Sequence, residues 1–140
     1  MYSSTTHIRV RYGETDQMGY LFYGYYPWYY DLGGPEAIRE LGFTYRELEE
    51  TGVVMPVVEM NAQYFRPAFY DDLLTVKTLL TELPEGPKVK FHTEIYNEKG
   101  QLLNKGVTTL VFYDRAAKQK TTMPKILLEK LAPFFKEKGT

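Results

Sequence analysis

The stretch from Leu102 to Tyr113, LLNKGVTTLVFY, constrains the fold more than any other part of this chain. Successive side chains of a strand point to opposite faces. Here Val107, Thr109 and Val111 fall on one face, and Leu110 and Phe112 on the other. A strand of this kind needs cover on both sides. The rest of the sequence supplies one long helical pattern, which can bury one face only. The second face implies another layer, most simply a second copy of the chain.

The remaining elements follow from periodicity. Ile8, Val10 and Tyr12 alternate with His7, Arg9 and Arg11, a half-buried strand. The residues before it read as a polar leader in which Ser3 and Ser4 are not held. Gly13 to Gly19 is a loop by composition. A helix is predicted from about Gly24 to Leu41, with Tyr26, Tyr30, Gly33, Ala37 and Leu41 near one face. Pro35 would meet the carbonyl of Asp31, which predicts a kink or break, while Gly33 and Gly34 would allow a close approach to a neighbour. Gly42 reads as the stop. Thr44 and Glu47 form a capping box for a short helix ending near Gly52.

Beyond it lie strands. Val58, Met60, Ala62 and Tyr64 mark the first, which Arg66-Pro67-Ala68 breaks. Leu74, Val76, Thr78 and Leu80 mark the next buried face. After the Pro84–Pro87 turn come Val89, Phe91, Thr93 and Ile95, with Lys88, Lys90, His92 and Glu94 outward. Asn97–Gly100 joins this strand to the last as a hairpin. Pro124 opens a terminal helix reaching about Lys136. The fold class is α+β: a single domain, 1–140, with one long helix on a five-stranded, mainly antiparallel sheet and a C-terminal helix.

Composition narrows the function. The net charge of −1 and the scatter of Lys and Arg give no footprint for nucleic acid. No apolar run is long enough for membrane insertion, and the absence of cysteine fits a reducing compartment, so a soluble cytoplasmic protein is expected. Thirteen tyrosines and eight phenylalanines suit either a half-wet pocket or interface, or simply a β-rich chain.

Few residues can do covalent chemistry. With no cysteine, two loose serines and only His7 and His92 as histidines, no held nucleophile–base pair is evident. Neither histidine has partners at metal-ligand spacing, so no metal is expected. Phosphate-cradling glycine loops are absent. A carboxylate remains. Asp16, in RYGETDQMGYLFYGYY, precedes the helix start. It is either a loop aspartate making an Asx-turn or a catalytic carboxylate near the free N–H groups and positive dipole end of a helix. Tyr12 and Tyr23 are either hydrogen-bond donors to a substrate or ordinary packing aromatics, and Glu14 is solvated or helix-facing. Lys88 and Lys90 share a strand face and could hold phosphates, or be a solvated edge.

Three stretches carry a resemblance. RYGETDQMGYLFYGYYPWYYDLGGPEAIRELG, VVEMNAQYFRPAFYDDLLTVKT and NEKGQLLNKGVTTLVFYD resemble the hot-dog-fold acyl-CoA thioesterases of the 4-hydroxybenzoyl-CoA thioesterase and YbgC type. The likeness implies a long helix wrapped by a curved sheet, and protomers paired as a homodimer or homotetramer with active sites at the interface. It implies an acyl-CoA substrate and no cofactor, and the aromatic residues between Tyr20 and Tyr30 suggest a short-chain or aromatic acyl group. Asp16 would be general base or nucleophile. The backbone N–H of Tyr23 would polarise the thioester carbonyl, and Tyr12 matches a first-strand tyrosine of the YbgC branch. Apart from the resemblance, Gly24, Tyr26, Arg66, Lys88 and Lys90 are the candidate substrate contacts in this chain. An acyl-carrier-protein thioesterase and a non-catalytic acyl-thioester binder are the alternatives. The chain departs from many relatives at Tyr23, where they carry histidine, and at Gly33-Gly34-Pro35.

Overall fold

The structure is a computed structural model and describes residues 1–136. Its main sheet is made by β1 (Tyr2–Arg9), β3 (Val57–Tyr64), β4 (Leu73–Leu80), β5 (Lys88–Tyr96) and β6 (Leu102–Val111). Their order is β1-β4-β5-β6-β3, with every neighbouring pair antiparallel. The helix α1 (Tyr26–Glu40) lies across one face, and α2 (Tyr45–Glu49) follows it. A small second sheet joins β2 (Val53–Val54), β7 (Tyr113–Asp114) and β8 (Gln119–Lys120). The chain closes with α3 (Lys125–Leu131) and a 3-10 turn over Ala132–Phe135.

The alternation read from the sequence places the core. Leu74, Val76, Thr78 and Leu80 of β4 and Val89, Phe91, Thr93 and Ile95 of β5 are all buried. The register sets Val89 opposite Leu110, Phe91 opposite Thr108 and Ile95 opposite Asn104, so these residues share the face beneath α1. The helix buries Tyr26, Tyr29, Tyr30, Gly33, Gly34, Ala37 and Ile38 against it. At Gly33 a side chain would run into the Thr78 hydroxyl, and at Gly106 into the Tyr30 ring and the Asn61 carbonyl. The glycines therefore let helix and sheet approach closely. Pro35 does not break α1, which continues to Glu40. Gly42, at φ +108°, ends the helix by donating to the Arg39 carbonyl, and Thr44 caps α2 by accepting from the Glu47 amide at 3.1 Å.

Three sequence expectations are corrected. The polar leader is not loose: Tyr2–Arg9 is β1, paired residue for residue with β4, and Ser4 is buried opposite Thr78. Ser and Thr hide a strand from a pattern search because they give no apolar alternation, yet β1 obtains its cohesion from the ladder with β4. Tyr12, taken as the end of that strand, instead starts a 3-10 turn (Tyr12–Glu14) and is 77% exposed. The last strand also needs less outside cover than its sequence implies. Thr109 and Val111 on its far face are buried within one copy, and Val107 is half-buried. The far face around them is polar, with Lys90, His92, Glu59 and Asn61 as cross-strand neighbours.

Candidate active site

The segment between β1 and α1 is built by its two acids. The Glu14 carboxylate accepts from the Arg11 amide and from the Tyr29 hydroxyl, both at 2.9 Å, so Glu14 is helix-facing. Its carbonyl accepts from the Phe22 amide at 2.8 Å. Asp16 closes the tip. Its Oδ1 accepts from the amides of Met18 at 2.9 Å and Tyr20 at 3.1 Å, an Asx-turn. The Asp16 amide donates to the Tyr20 carbonyl, and its carbonyl accepts from Gly19, whose φ of +79° suits glycine. The second carboxylate oxygen, Oδ2, accepts no hydrogen bond from the described residues. Asp16 thus makes the Asx-turn of a loop aspartate with one oxygen, and its other oxygen is unpaired among the described residues.

The chain then enters α1 through a 3-10 turn, Tyr23–Tyr25. The Tyr25 amide donates to the Phe22 carbonyl and the Tyr26 amide to that of Tyr23. The amides of Tyr23 and Gly24 make no hydrogen bond to the described residues, as the opening donors of a helix must unless capped. At Gly24 a side chain would press on the Phe22 ring.

From across the fold comes the third wall. Phe65 and Arg66 donate their amides to the Leu103 carbonyl where β3 ends, and Leu21 donates to Ala68 at 2.8 Å. The Arg66-Pro67-Ala68 turn is thereby laid against the Asp16 loop. Together Asp16, Tyr20, Tyr23, Tyr26, Tyr64 and Arg66 line a cavity of about 350 Å³, with Leu21, Phe65 and Pro67 completing it. Tyr26 and Tyr64 meet edge to face, 5.1 Å between ring centres. Burial pushes the Tyr26 phenol up to about 12, opposed by a backbone hydrogen bond at Ala68. The Tyr64 phenol is raised by burial and then by Tyr23. Both rings therefore stay protonated and can donate at neutral pH.

Of the sequence-predicted site residues, Asp16, Tyr23, Tyr26 and Arg66 come together here, and Gly24 sits in the turn beside them. Three do not. Tyr12 packs its ring against Tyr70 at 5.7 Å, outside the cavity. Lys88 and Lys90 lie on the outward face of β5 and border a separate groove with Glu82, Glu85 and His92. Tyr64 and Phe65 were not foreseen as site residues. A tyrosine at the inward register of the strand preceding Arg-Pro-Ala was the available signal. Among the described residues no cluster of His, Cys, Asp and Glu could hold a metal, and no helix is long and apolar enough to cross a membrane.

The sequence over residues 10–131 matches the family model of the thioesterase-like superfamily. The chain belongs to the thioesterase-like superfamily. Within it, the chain is 35% identical over 115 residues to the putative acyl-CoA thioesterase YneP of Bacillus subtilis strain 168, covering 82% of this chain and 83% of that one. It is 28% identical over 121 residues to the acyl-CoA thioester hydrolase YbgC of Escherichia coli O6:H1, covering 86% and 90%. Among solved structures it resembles a DHNA-CoA thioesterase from Staphylococcus aureus, with a TM-score of 0.81 at 30% identity, over 96% of this chain and 87% of that one. The superfamily's hot-dog architecture is the helix-on-sheet arrangement described above, so the fold class read from the sequence is the one found.

Proposed function

We propose that this protein hydrolyses an acyl-CoA thioester to the free acid and CoA, with Asp16 as the reacting carboxylate. One observation carries the reading: an Asp16 oxygen that accepts no bond from the described residues lines the same cavity as Tyr23, whose amide, like that of the adjacent Gly24 at the helix start, donates to none of them. Asp16 takes a proton from water as it adds to the thioester carbonyl, or itself adds to form an anhydride that water then opens. In either route the carbonyl oxygen gains charge, and the free N–H groups with the helix dipole stabilise it. The C–S bond breaks as the carbonyl reforms, and the thiolate takes up a proton. The aromatic walls and the modest volume favour a short-chain or aromatic acyl group. Arg66, exposed at the cavity rim, suits the polar part of the substrate.

The relatives named as acyl-CoA thioesterases support the reaction class. We place the protein in the cytoplasm, as a homodimer or homotetramer. The edge strand β3, with Val57, Val58 and Tyr64 about half exposed, is the surface suited to pairing. In such an assembly Lys88 and Lys90 could serve a partner's substrate, since within one copy they lie away from Asp16.

A panel of acyl-CoA thioesters and acyl-carrier thioesters, read by thiol release, tests the reading. Asp16→Asn should lower turnover by about 10³-fold or more in a protein of unchanged fold, on the scale of losing a reacting group. An Asp16→Asn protein with wild-type turnover would sink the assignment. Saturable binding without thiol release by the wild type would establish a binder instead.

A further inference from the structure

The free amides at the helix start belong to peptide units whose carbonyls are held, and one side chain does part of the holding. The Tyr64 hydroxyl, from the end of β3, donates to the Tyr23 carbonyl oxygen at 3.1 Å, across 41 positions of sequence. That carbonyl belongs to the same planar peptide unit as the Gly24 N–H. In a trans peptide the two point in opposite directions, so fixing the carbonyl aims the N–H the other way. The preceding unit is held similarly, its Phe22 carbonyl accepting from the Tyr25 amide at 2.9 Å while the Tyr23 N–H stays free. A hydrogen bond to a carbonyl also polarises its peptide and makes the attached N–H a stronger donor.

We infer that Tyr64 is a positioning residue for the oxyanion-binding turn, acting through the Tyr23–Gly24 peptide. The inference rests on the reaction proposed above. The backbone alone does not fix this peptide rigidly. The turn is three residues long, it bears no side-chain cap, and Tyr23 is largely exposed. The Tyr26 amide shares the same acceptor, so among the described residues Tyr64 supplies the second restraint and the only one from a side chain. Tyr64 is itself aligned by its edge-to-face contact with Tyr26, a residue 2% exposed, and its backbone is fixed opposite Asn104 in the β3–β6 ladder. The geometry thus couples the sheet edge to the helix start through one phenol.

Tyr64→Phe keeps the ring and removes the hydroxyl, and Tyr64→Leu removes both. The expected result is a fall in kcat of about ten- to a hundredfold in each, the range a misplaced catalytic group produces, with KM little changed. In Tyr64→Phe the amide resonance of Gly24 should move while melting stays near wild type. Wild-type kcat in Tyr64→Phe, with loss only in Tyr64→Leu, would mean that the ring matters for packing alone and would overturn the inference. A rise in KM at constant kcat would overturn it too, by making Tyr64 a substrate contact. Asp16→Asn is measured alongside. If that variant retains turnover, the reaction assignment fails. If it is inactive while Tyr64→Phe is fully active, only the role given to Tyr64 fails.

Discussion

The hydroxyl of Tyr29 donates to Oε1 of Glu14 at 2.9 Å, which ties the loop bearing Asp16 to the long helix α1. Tyr29 is 1% exposed, and burial, then Glu14, raises its phenol well above the ordinary range, so the donor is permanently protonated. Tyr29→Phe leaves Glu14 with only the Arg11 amide. Hydrogen bonds to charged groups stabilise by about 1.5–3 kcal/mol. We expect Tyr29→Phe to lose about 1–2 kcal/mol in urea denaturation, at the low end because Glu14 is half-buried and keeps one donor. Turnover should fall with it. Glu14→Gln, which can still accept from both donors, should lose less on both counts.

Asp16 has two separable duties, and two substitutions divide them. Asparagine presents an equivalent Oδ1 to the Met18 and Tyr20 amides, so Asp16→Asn should melt within a degree or so of wild type, an effect below about 0.5 kcal/mol. Alanine cannot accept either bond. Asp16→Ala should therefore cost about 1–2 kcal/mol, the net worth of two exposed hydrogen bonds. Both should be equally inactive in thiol release. Equal melting temperatures for the two variants would show that the Asx-turn contributes nothing to the fold.

What could be read from the sequence depended on how local the signal was. The capping box at Thr44, the stop at Gly42 and the buried faces of β4 and β5 are short-range patterns, and each stands where the residues put it. Asp16, Tyr23 and Tyr26 lie within one stretch, and their convergence needed only the helix start to be placed correctly. Tyr64 was hidden because its bond to Tyr23 spans 41 positions and depends on β3 ending beside α1. β1 was read five residues short at its start because serine and threonine carry no hydrophobic period, and three too long at its end because Val10 and Tyr12 continue the alternation. Lys88 and Lys90 were legible as two cations on one strand face, but their distance from Asp16 was not, and within one copy the topology sends them to the face of the sheet away from α1.

Gly33 of α1 and Thr78 of β4 set the distance between helix and sheet. A methyl group at Gly33 would run into the Thr78 hydroxyl, which is buried and unpartnered among the described residues. Threonine is stiff about χ1, so it cannot swing aside without strain. Alanine would add helix propensity of about 1 kcal/mol, but overpacking typically costs about 1–3 kcal/mol. We expect Gly33→Ala to be destabilising overall, by about 1 kcal/mol in urea denaturation. Thr78→Ala should relieve the clash, so the double variant should be more stable than the sum of the single effects predicts, by about 1 kcal/mol of coupling. Additive effects would place the limit on helix approach elsewhere.

The buried tyrosines should make the fold sensitive to alkali. Burial is the leading cause that raises Tyr2, Tyr26 and Tyr45 from 10.0 to about 12, and it lifts Tyr29 and Tyr30 further. Each folded-state phenol thus holds its proton more tightly than the unfolded chain does. Below pH 10, the unfolded value, both states are protonated and this stabilisation is fully present. As pH rises from 10 towards 12, the unfolded chain loses protons that the folded one keeps, and stability falls. The expected outcome is a melting temperature insensitive to these groups at neutral pH that drops with increasing steepness above pH 10. The phenolate absorbance of the buried set should rise together with the loss of circular dichroism. Tyr26→Phe should flatten the drop by one proton's share. A single broad titration near 10, with native circular dichroism retained throughout, would mean that these rings ionise in place and do not couple to folding.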